Sequence, residues 1–217
     1  MNRLLAILGV VALVTVVGIG HGMTQEMGDA PDDEKKCGGS DDAMDPMEEF
    51  AKTHATNENH ELLAKMAGDF TFTAKMWFEP GKDPAEGSGT CNSHMSEDGR
   101  RLIDSWDMKE GPMPMKGSII AGYNNVDERF ELVEAVNGNT GMLFYTGSYD
   151  EDTGVLAFKG SCNVIMGGQK MKRTTRTEIK IIDADNRVMT MYAAYGDMKE
   201  HKEVEVTYKR VKEDGDE

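Results

Sequence analysis

The chain has 217 residues, of which 39% are hydrophobic, so it is long enough for one domain with a packed core. Its formal net charge of -15 excludes nucleic-acid binding, because a protein of that charge is repelled by phosphate backbones and by anionic membrane surfaces.

Residues 1–22 have the pattern of a secretory signal peptide. Asn2 and Arg3 form a short positive start, Leu4 to Val17 form an apolar run, and Gly18 to Gly22 are small residues suited to cleavage. Cleavage is favoured over a retained anchor, because the apolar run is shorter than the roughly 20 residues that span a bilayer. We therefore expect a periplasmic or extracellular protein with no stable membrane insertion after cleavage.

Residues 23–56 are predicted to form a disordered acidic linker. Between Gly28 and Glu49, nine acidic residues stand against only Lys35 and Lys36, a composition that buries too little apolar surface to order itself. Residues 212–217 form a short acidic tail. The domain is therefore expected to lie within residues 57–211.

One short helix is predicted at the start of this domain. Asn57 is a suitable N-cap, Leu62, Leu63 and Met66 form an apolar stripe, and Gly68 ends the helix. We expect it to cover one end of the structure that follows.

After Gly68 the sequence alternates with period two and is interrupted by turn residues, which is typical of consecutive β-strands. About ten such strands with short connections favour an up-and-down antiparallel sheet that closes into a barrel. The fold class is therefore all-β with one short N-terminal helix. The strands are predicted at residues 68–78, 87–96, 100–107, 117–124, 129–137, 140–149, 155–164, 169–182, 187–195 and 199–212.

The three cysteines leave two alternatives open. Cys91 and Cys162 pair if their strands are neighbours, which leaves Cys37 free, or they are buried thiols that never meet. A disulfide requires Cα atoms within about 7 Å, and sequence alone does not give that distance.

Three segments form a recognisable pattern: His60-Glu61-Leu62-Leu63 to Ala67-Gly68-Asp69-Phe70, Gly117 to Gly122-Tyr123-Asn124, and Glu203 to Tyr208-Lys209-Arg210. Together they resemble the bacterial domain-of-unknown-function family 1579. The resemblance covers about residues 58–211 and implies a lipocalin-like barrel of the calycin type with an internal pocket. It implies no activity, because the family's function is unassigned. Phe70 and Asn124 depart from the pattern, since such barrels usually have Trp and Asp there.

Phe70 and Arg210 are predicted to close one end of the barrel. In calycin-type barrels, which this chain resembles, an aromatic residue on the first strand packs under a basic residue that ends the last strand. Such stacking contributes about 1 kcal/mol, so a structural role is favoured over ligand contact.

The favoured function is non-catalytic binding of a small apolar or amphipathic ligand inside the barrel, with no cofactor and no metal. An alternative is an enzyme for a small organic substrate, with Arg173 or Arg176 and a tyrosine as its polar groups. Converging acidic and basic side chains with shifted pKa values would favour that alternative. The predicted ligand-binding residues are Trp77, Trp106, Tyr123, Phe144, Arg176 and Tyr192.

A third hypothesis is a haem or metal carrier that uses His201. The position before the last strand is similar to that of the proximal histidine in nitrobindin-type calycins, although their first-strand motif is absent here. The charged neighbours Lys199, Glu200 and Lys202 favour an exposed surface position instead.

The chain has 17 methionines, and thioethers bind Cu(I) when at least three converge. The sequence shows only one tight pair, in Met113-Pro114-Met115, so we expect the methionines to fill irregular parts of the core.

Overall fold

The structure is a computed structural model that describes residues 45–212. The predicted signal peptide, the linker up to residue 44 with Cys37, and the tail beyond residue 212 lie outside the described residues. No helix in the described part is long and apolar enough to cross a membrane.

The first helix, α1 (Pro46–His54), lies within the segment for which the sequence predicts disorder. The Asp45 side chain accepts a hydrogen bond from the Met47 N–H at 2.9 Å, so the helix has an N-cap. Acidic residues in the first turn and Lys52 in the last turn complement the helix dipole. The helix belongs to a different compact unit from the barrel.

The second helix and ten strands form the barrel unit. Helix α2 spans Glu58–Ala64. The strands are β1 (Gly68–Met76), β2 (Ala85–Met95), β3 (Arg101–Glu110), β4 (Met115–Asn124), β5 (Arg129–Val136), β6 (Leu143–Asp150), β7 (Val155–Met166), β8 (Gln169–Ile181), β9 (Asn186–Tyr195) and β10 (His201–Arg210).

The strands form one closed up-and-down antiparallel barrel, which confirms the predicted fold class. Each strand pairs with the next one in the chain, and β1 closes the barrel by pairing with β10. Burial alternates along most strands, so one face of the sheet packs inward and the other faces outward.

Helix α2 packs over one end of the barrel, which we call the capped end. Leu62, Leu63 and Met66 join a core cluster with inward residues such as Leu102 and Phe158. Leu63 and Phe158 have no exposed surface. We call the opposite end of the barrel the distal end.

The start of α2 is fixed by a capping box. The Asn57 side chain accepts from the Asn59 N–H at 3.1 Å, and the Asn57 N–H donates to Nδ1 of His60 at 3.1 Å. His60 is only 4% exposed, and burial lowers the pKa of its imidazole, which favours the neutral form that accepts this bond. His60 therefore has a structural role.

Two arginines satisfy the carbonyl groups that follow α2. Arg210 donates to the Ala67 carbonyl at 2.6 Å, and Arg187 donates to the Met66 carbonyl at 2.8 Å. The Arg210 guanidinium also lies over the Phe70 ring, 4.7 Å from its centroid. These contacts attach the end of the helix to β9 and β10.

Four inward glycines each face an aromatic residue directly across a strand pair. The pairs are Gly89 with Phe72, Gly117 with Trp106, Gly147 with Phe158, and Gly160 with Tyr145. A Cβ atom at Gly89 would lie 2.6 Å from the Phe72 ring, and the other three positions are similarly crowded. The missing side chains therefore provide the space that the rings fill.

Cys91 and Cys162 are free thiols. They lie on β2 and β7, which are not adjacent strands, so the alternative in which they pair is not formed.

Candidate functional site

One polar cluster inside the barrel surrounds Arg187 near the capped end. This side chain is 5% exposed and lies between the rings of Phe70 and Tyr208, with centroid distances of 4.5 Å and 4.6 Å. It donates to Oγ of Ser93 at 3.0 Å and lies 3.6 Å from the Asp104 carboxylate. Burial raises the pKa of the Asp104 carboxyl, and Arg187 opposes that shift.

A second polar cluster, which we call the distal cluster, contains Arg173, Tyr195, His201 and Glu203. Glu203 accepts from Arg173 through one oxygen and from the Tyr195 hydroxyl through the other, both at 2.5 Å. The His201 ring lies against Tyr195 with a centroid distance of 6.3 Å, and its Nε2 is 3.8 Å from Glu203. Glu203 therefore holds the cluster together.

A β-bulge turns this cluster inward. The pairing of β10 with β9 shifts register between Lys202 and Val204. His201 and Val204 therefore both face the interior, although they are three residues apart and regular alternation would place them on opposite faces. His201 is directly opposite Ala193, which has no exposed surface. Strict alternation would have placed His201 and Glu203 outside.

Three buried polar atoms in these clusters have no hydrogen-bond partner in the described part of the chain. They are Nε of Arg173, Nδ1 of His201 and Oδ1 of Asp104. Such atoms are uncommon in folded proteins and are usually satisfied by water or a ligand. The distal cluster thus presents free polar groups toward the interior.

Glu134 and Tyr145 lie next to the distal cluster. The Tyr145 hydroxyl donates to Glu134 at 3.2 Å, and burial raises the pKa values of both groups. Arg173 acts on both groups and opposes these shifts. Two buried groups with raised pKa values therefore lie beside one arginine.

The raised pKa of Glu134 predicts a pH-dependent effect on stability. The folded state keeps the Glu134 proton to higher pH than the unfolded state, so ionisation removes stability as the pH rises above the ordinary glutamate value. We expect Glu134→Gln to match the wild type near pH 4 and to exceed its free energy of unfolding near pH 8. Urea unfolding across that range measures the difference.

Glu131→Gln is the control on the same strand. Arg129 holds the pKa of Glu131 below its usual value, so its charged form is the stabilised one and the sign reverses. Equal responses of the two variants to pH would contradict the assignment for Glu134.

A separate groove of about 1050 Å³ lies on the outer face of β5 to β8. Its residues include Phe144, which is 65% exposed, and Arg176. Glu178 and Glu200 pair with Arg176, which also lies 4.0 Å from the centroid of the Tyr192 ring. The charge of Arg176 is thus already balanced.

Comparison with known proteins identifies the family. A sequence model described as protein of unknown function (DUF1579) matches residues 55–210. The chain belongs to the DUF1579 family. No curated protein matches it.

Two solved structures are similar to this DUF1579 barrel. Rv2717c from M. tuberculosis is 13% identical with a TM-score of 0.52, and the match covers 73% of this chain and 100% of that one. The S-type phycobiliprotein lyase CPES from Guillardia theta is 12% identical with a TM-score of 0.51, covering 76% and 98%. At these identities the likeness establishes the fold.

The predicted ligand-binding residues of this DUF1579 barrel lie in different places. Trp106 packs inside the distal half, and Tyr123 packs at the capped end against Phe130, with ring centroids 4.9 Å apart. Trp77 follows β1 and lies under Lys202, 4.6 Å from the ammonium nitrogen.

Phe144, Arg176 and Tyr192 face outward, although the sequence analysis places them around an internal pocket. Each alternates with an inward residue, as Arg176 does with Thr175 and Thr177. The structure brings Phe144 and Arg176 together in the outer groove and Tyr192 beneath Arg176. Their contact with a ligand stays a prediction.

His201 is also placed differently from the expected surface position. Its side chain is only 16% exposed, because the bulge turns it into the barrel.

Three members of the interior clusters, Arg187, Glu134 and Glu203, were not predicted from the sequence. Arg187 and Glu134 could have been found, because each occupies a position in its strand where every second residue is otherwise apolar and points inward. Glu203 could not have been found, because only the bulge brings it inside.

Proposed function

We propose that this protein is exported and binds a small amphipathic molecule inside the distal half of its barrel. The observation that carries this proposal is the distal cluster, where Nε of Arg173 and Nδ1 of His201 are buried and have no partner in the described residues. Partly exposed inward side chains such as Met171, Met191 and Cys162 surround it. A polar group and an apolar body of one ligand fit these two surfaces.

The charge balance of the cluster favours a neutral polar group on the ligand. Arg173 is already paired with Glu203, so an added carboxylate would compete with that contact. The free Arg173 N–H suits an uncharged acceptor, such as a carbonyl or hydroxyl oxygen. Glu203 fixes Arg173 beforehand, which lowers the cost of ordering the site when the ligand binds.

The first test is native mass spectrometry, with an absorbance spectrum, of the protein purified from the cell envelope. We expect a chain that lacks the signal peptide and carries a retained small molecule. A full-length chain in the cytoplasm would overturn export, and an empty barrel would count against a tightly held ligand.

The second test uses the neutral dye Nile red, which has an apolar body and a carbonyl acceptor. Arg173→Lys keeps a cation beside Glu203 but removes the Nε–H donor. A hydrogen bond to a charged group contributes about 1.5–3 kcal/mol, so we expect dye affinity to fall about tenfold or more. Fluorescence titration measures it.

Arg101→Lys is the matched control, because Arg101 is exposed on the outer face at the start of β3, pairs with Asp98 at 3.4 Å and lies outside the outer groove. It should leave dye binding unchanged. Equal losses in both variants, or equal affinity in all three proteins, would overturn the assignment of the distal cluster.

Haem binding is a second candidate function, favoured by the inward position of His201. Its Nδ1 has no partner among the described residues, so one imidazole nitrogen is free to bind iron. Within residues 45–212, no group of three or more His, Cys, Asp or Glu side chains could hold a metal ion. The absorbance spectrum of the purified protein decides this candidate, since bound haem gives a Soret band.

A further inference from the structure

Three methionines on three strands come together inside the distal half of the barrel. They are Met76 at the end of β1, Met108 near the end of β3, and Met115 at the start of β4. Met108 is 5% exposed and belongs to a buried core cluster, and the other two are partly buried and pack against that cluster. Met108 and Met115 are directly opposite each other in the β3–β4 pairing.

The intervening strand β2 allows these side chains to meet, because its inward position between them is a glycine. A Cβ atom at Gly87 would lie 2.9 Å from Sδ of Met108 and 3.2 Å from Cε of Met76. The side chains from β1 and β3 therefore both reach over Gly87. A larger residue at this position would keep them apart.

Such a group of thioethers has a specific chemistry. Thioether sulfur is a soft, uncharged donor that selects Cu(I) over hard cations. Methionine is unbranched and has three rotatable bonds, so small changes of rotamer can direct all three sulfurs to one point. Two of the three side chains keep some solvent exposure, which gives an ion a route into the site.

We propose that Met76, Met108 and Met115 form a binding site for Cu(I). The site uses residues from β1, β3 and β4, whereas the distal cluster uses β8 to β10. The two sites share no residue, so loss of Cu(I) binding and loss of dye binding can be measured separately. No redox step is involved, because the ion is bound and released in one oxidation state.

The test is anaerobic competition for Cu(I) between the full chain and the coloured chelator bicinchoninate. We expect the wild-type protein to withdraw one equivalent of Cu(I) from the chelator. The Met76→Leu, Met108→Leu, Met115→Leu triple variant should lose that equivalent, because leucine keeps the volume but has no sulfur. Wild-type protein that leaves all Cu(I) with the chelator would overturn the proposal.

Met95→Leu is the matched control. Met95 is also inward and partly buried, but it packs against the capped-end core. It should retain the Cu(I) equivalent, and equal loss in this variant would contradict the assignment.

X-ray absorption of the Cu(I)-loaded wild type gives a second measurement that does not depend on whether the triple variant folds. We expect a first coordination shell of three sulfur atoms. A shell of nitrogen and oxygen would show that the ion binds elsewhere.

Discussion

Replacing Arg187 with methionine is expected to lower the free energy of unfolding by about 3–5 kcal/mol, the cost of removing one partner from a buried ion pair. The variant leaves the Asp104 carboxyl buried beside no cation, and burial already raises the pKa of that group. It also removes the donor to the Met66 carbonyl at the end of α2. Urea unfolding at pH 7 measures the loss.

The pH dependence of this effect identifies its cause. Without Arg187, the Asp104 carboxyl should hold its proton to still higher pH in the folded state. The unfolded state ionises at the ordinary aspartate value, so the penalty of the variant grows as the pH rises above that value. We expect the gap between variant and wild type to be smaller near pH 4 than near pH 7.

Two further variants separate charge from packing. Adding Asp104→Leu to Arg187→Met removes the buried carboxyl that has lost its partner, so the double variant should recover part of the lost stability. Arg210→Met is the matched control, because it also removes a donor to a carbonyl that follows α2, but Arg210 is partly exposed and its loss leaves no buried carboxyl unpaired, so a smaller loss of stability is expected. Equal losses for Arg187→Met and Arg210→Met would contradict the central role of the buried arginine.

The sequence was sufficient to predict the barrel because its signals are local. The turn at Asn137-Gly138 separates two strands, and Val204, Val206 and Tyr208 alternate with polar residues along β10. Consecutive short-looped strands leave an up-and-down order as the simplest topology. Closure followed because an open sheet of that size would expose two edges.

The candidate site was less predictable because it depends on nonlocal register. Phe144 and Tyr192 were predicted to line a pocket because they are aromatic. The register of a strand, and not the size of a side chain, decides whether that side chain points into the barrel. The bulge near Lys202 reverses the facing of His201 relative to simple alternation, and no local residue pattern marks it. Helix α1 was not predicted, because the acidic composition of its segment indicated disorder although Asp45 is a good N-cap.

The second large change in stability is expected where an inward glycine lies opposite an aromatic ring. Gly89→Ala is expected to lower the free energy of unfolding by about 3 kcal/mol, the upper end of the usual cost of overpacking. Its Cβ would lie 2.1 Å from the Asp107 carbonyl oxygen and 2.6 Å from the Phe72 ring. The carbonyl belongs to the backbone of β3, so a change of rotamer cannot relieve the contact.

Gly138→Ala provides the matched control. A Cβ at Gly138 meets no atom within 4 Å, and this residue lies in the β5–β6 turn. The same substitution there should change stability little, because alanine mainly reduces the freedom of the unfolded chain. Thermal and urea unfolding of both variants measure the difference. If Gly89→Ala proved as stable as Gly138→Ala, the ring of Phe72 would not need the space at Gly89, and close packing of the inward glycines would not explain their positions.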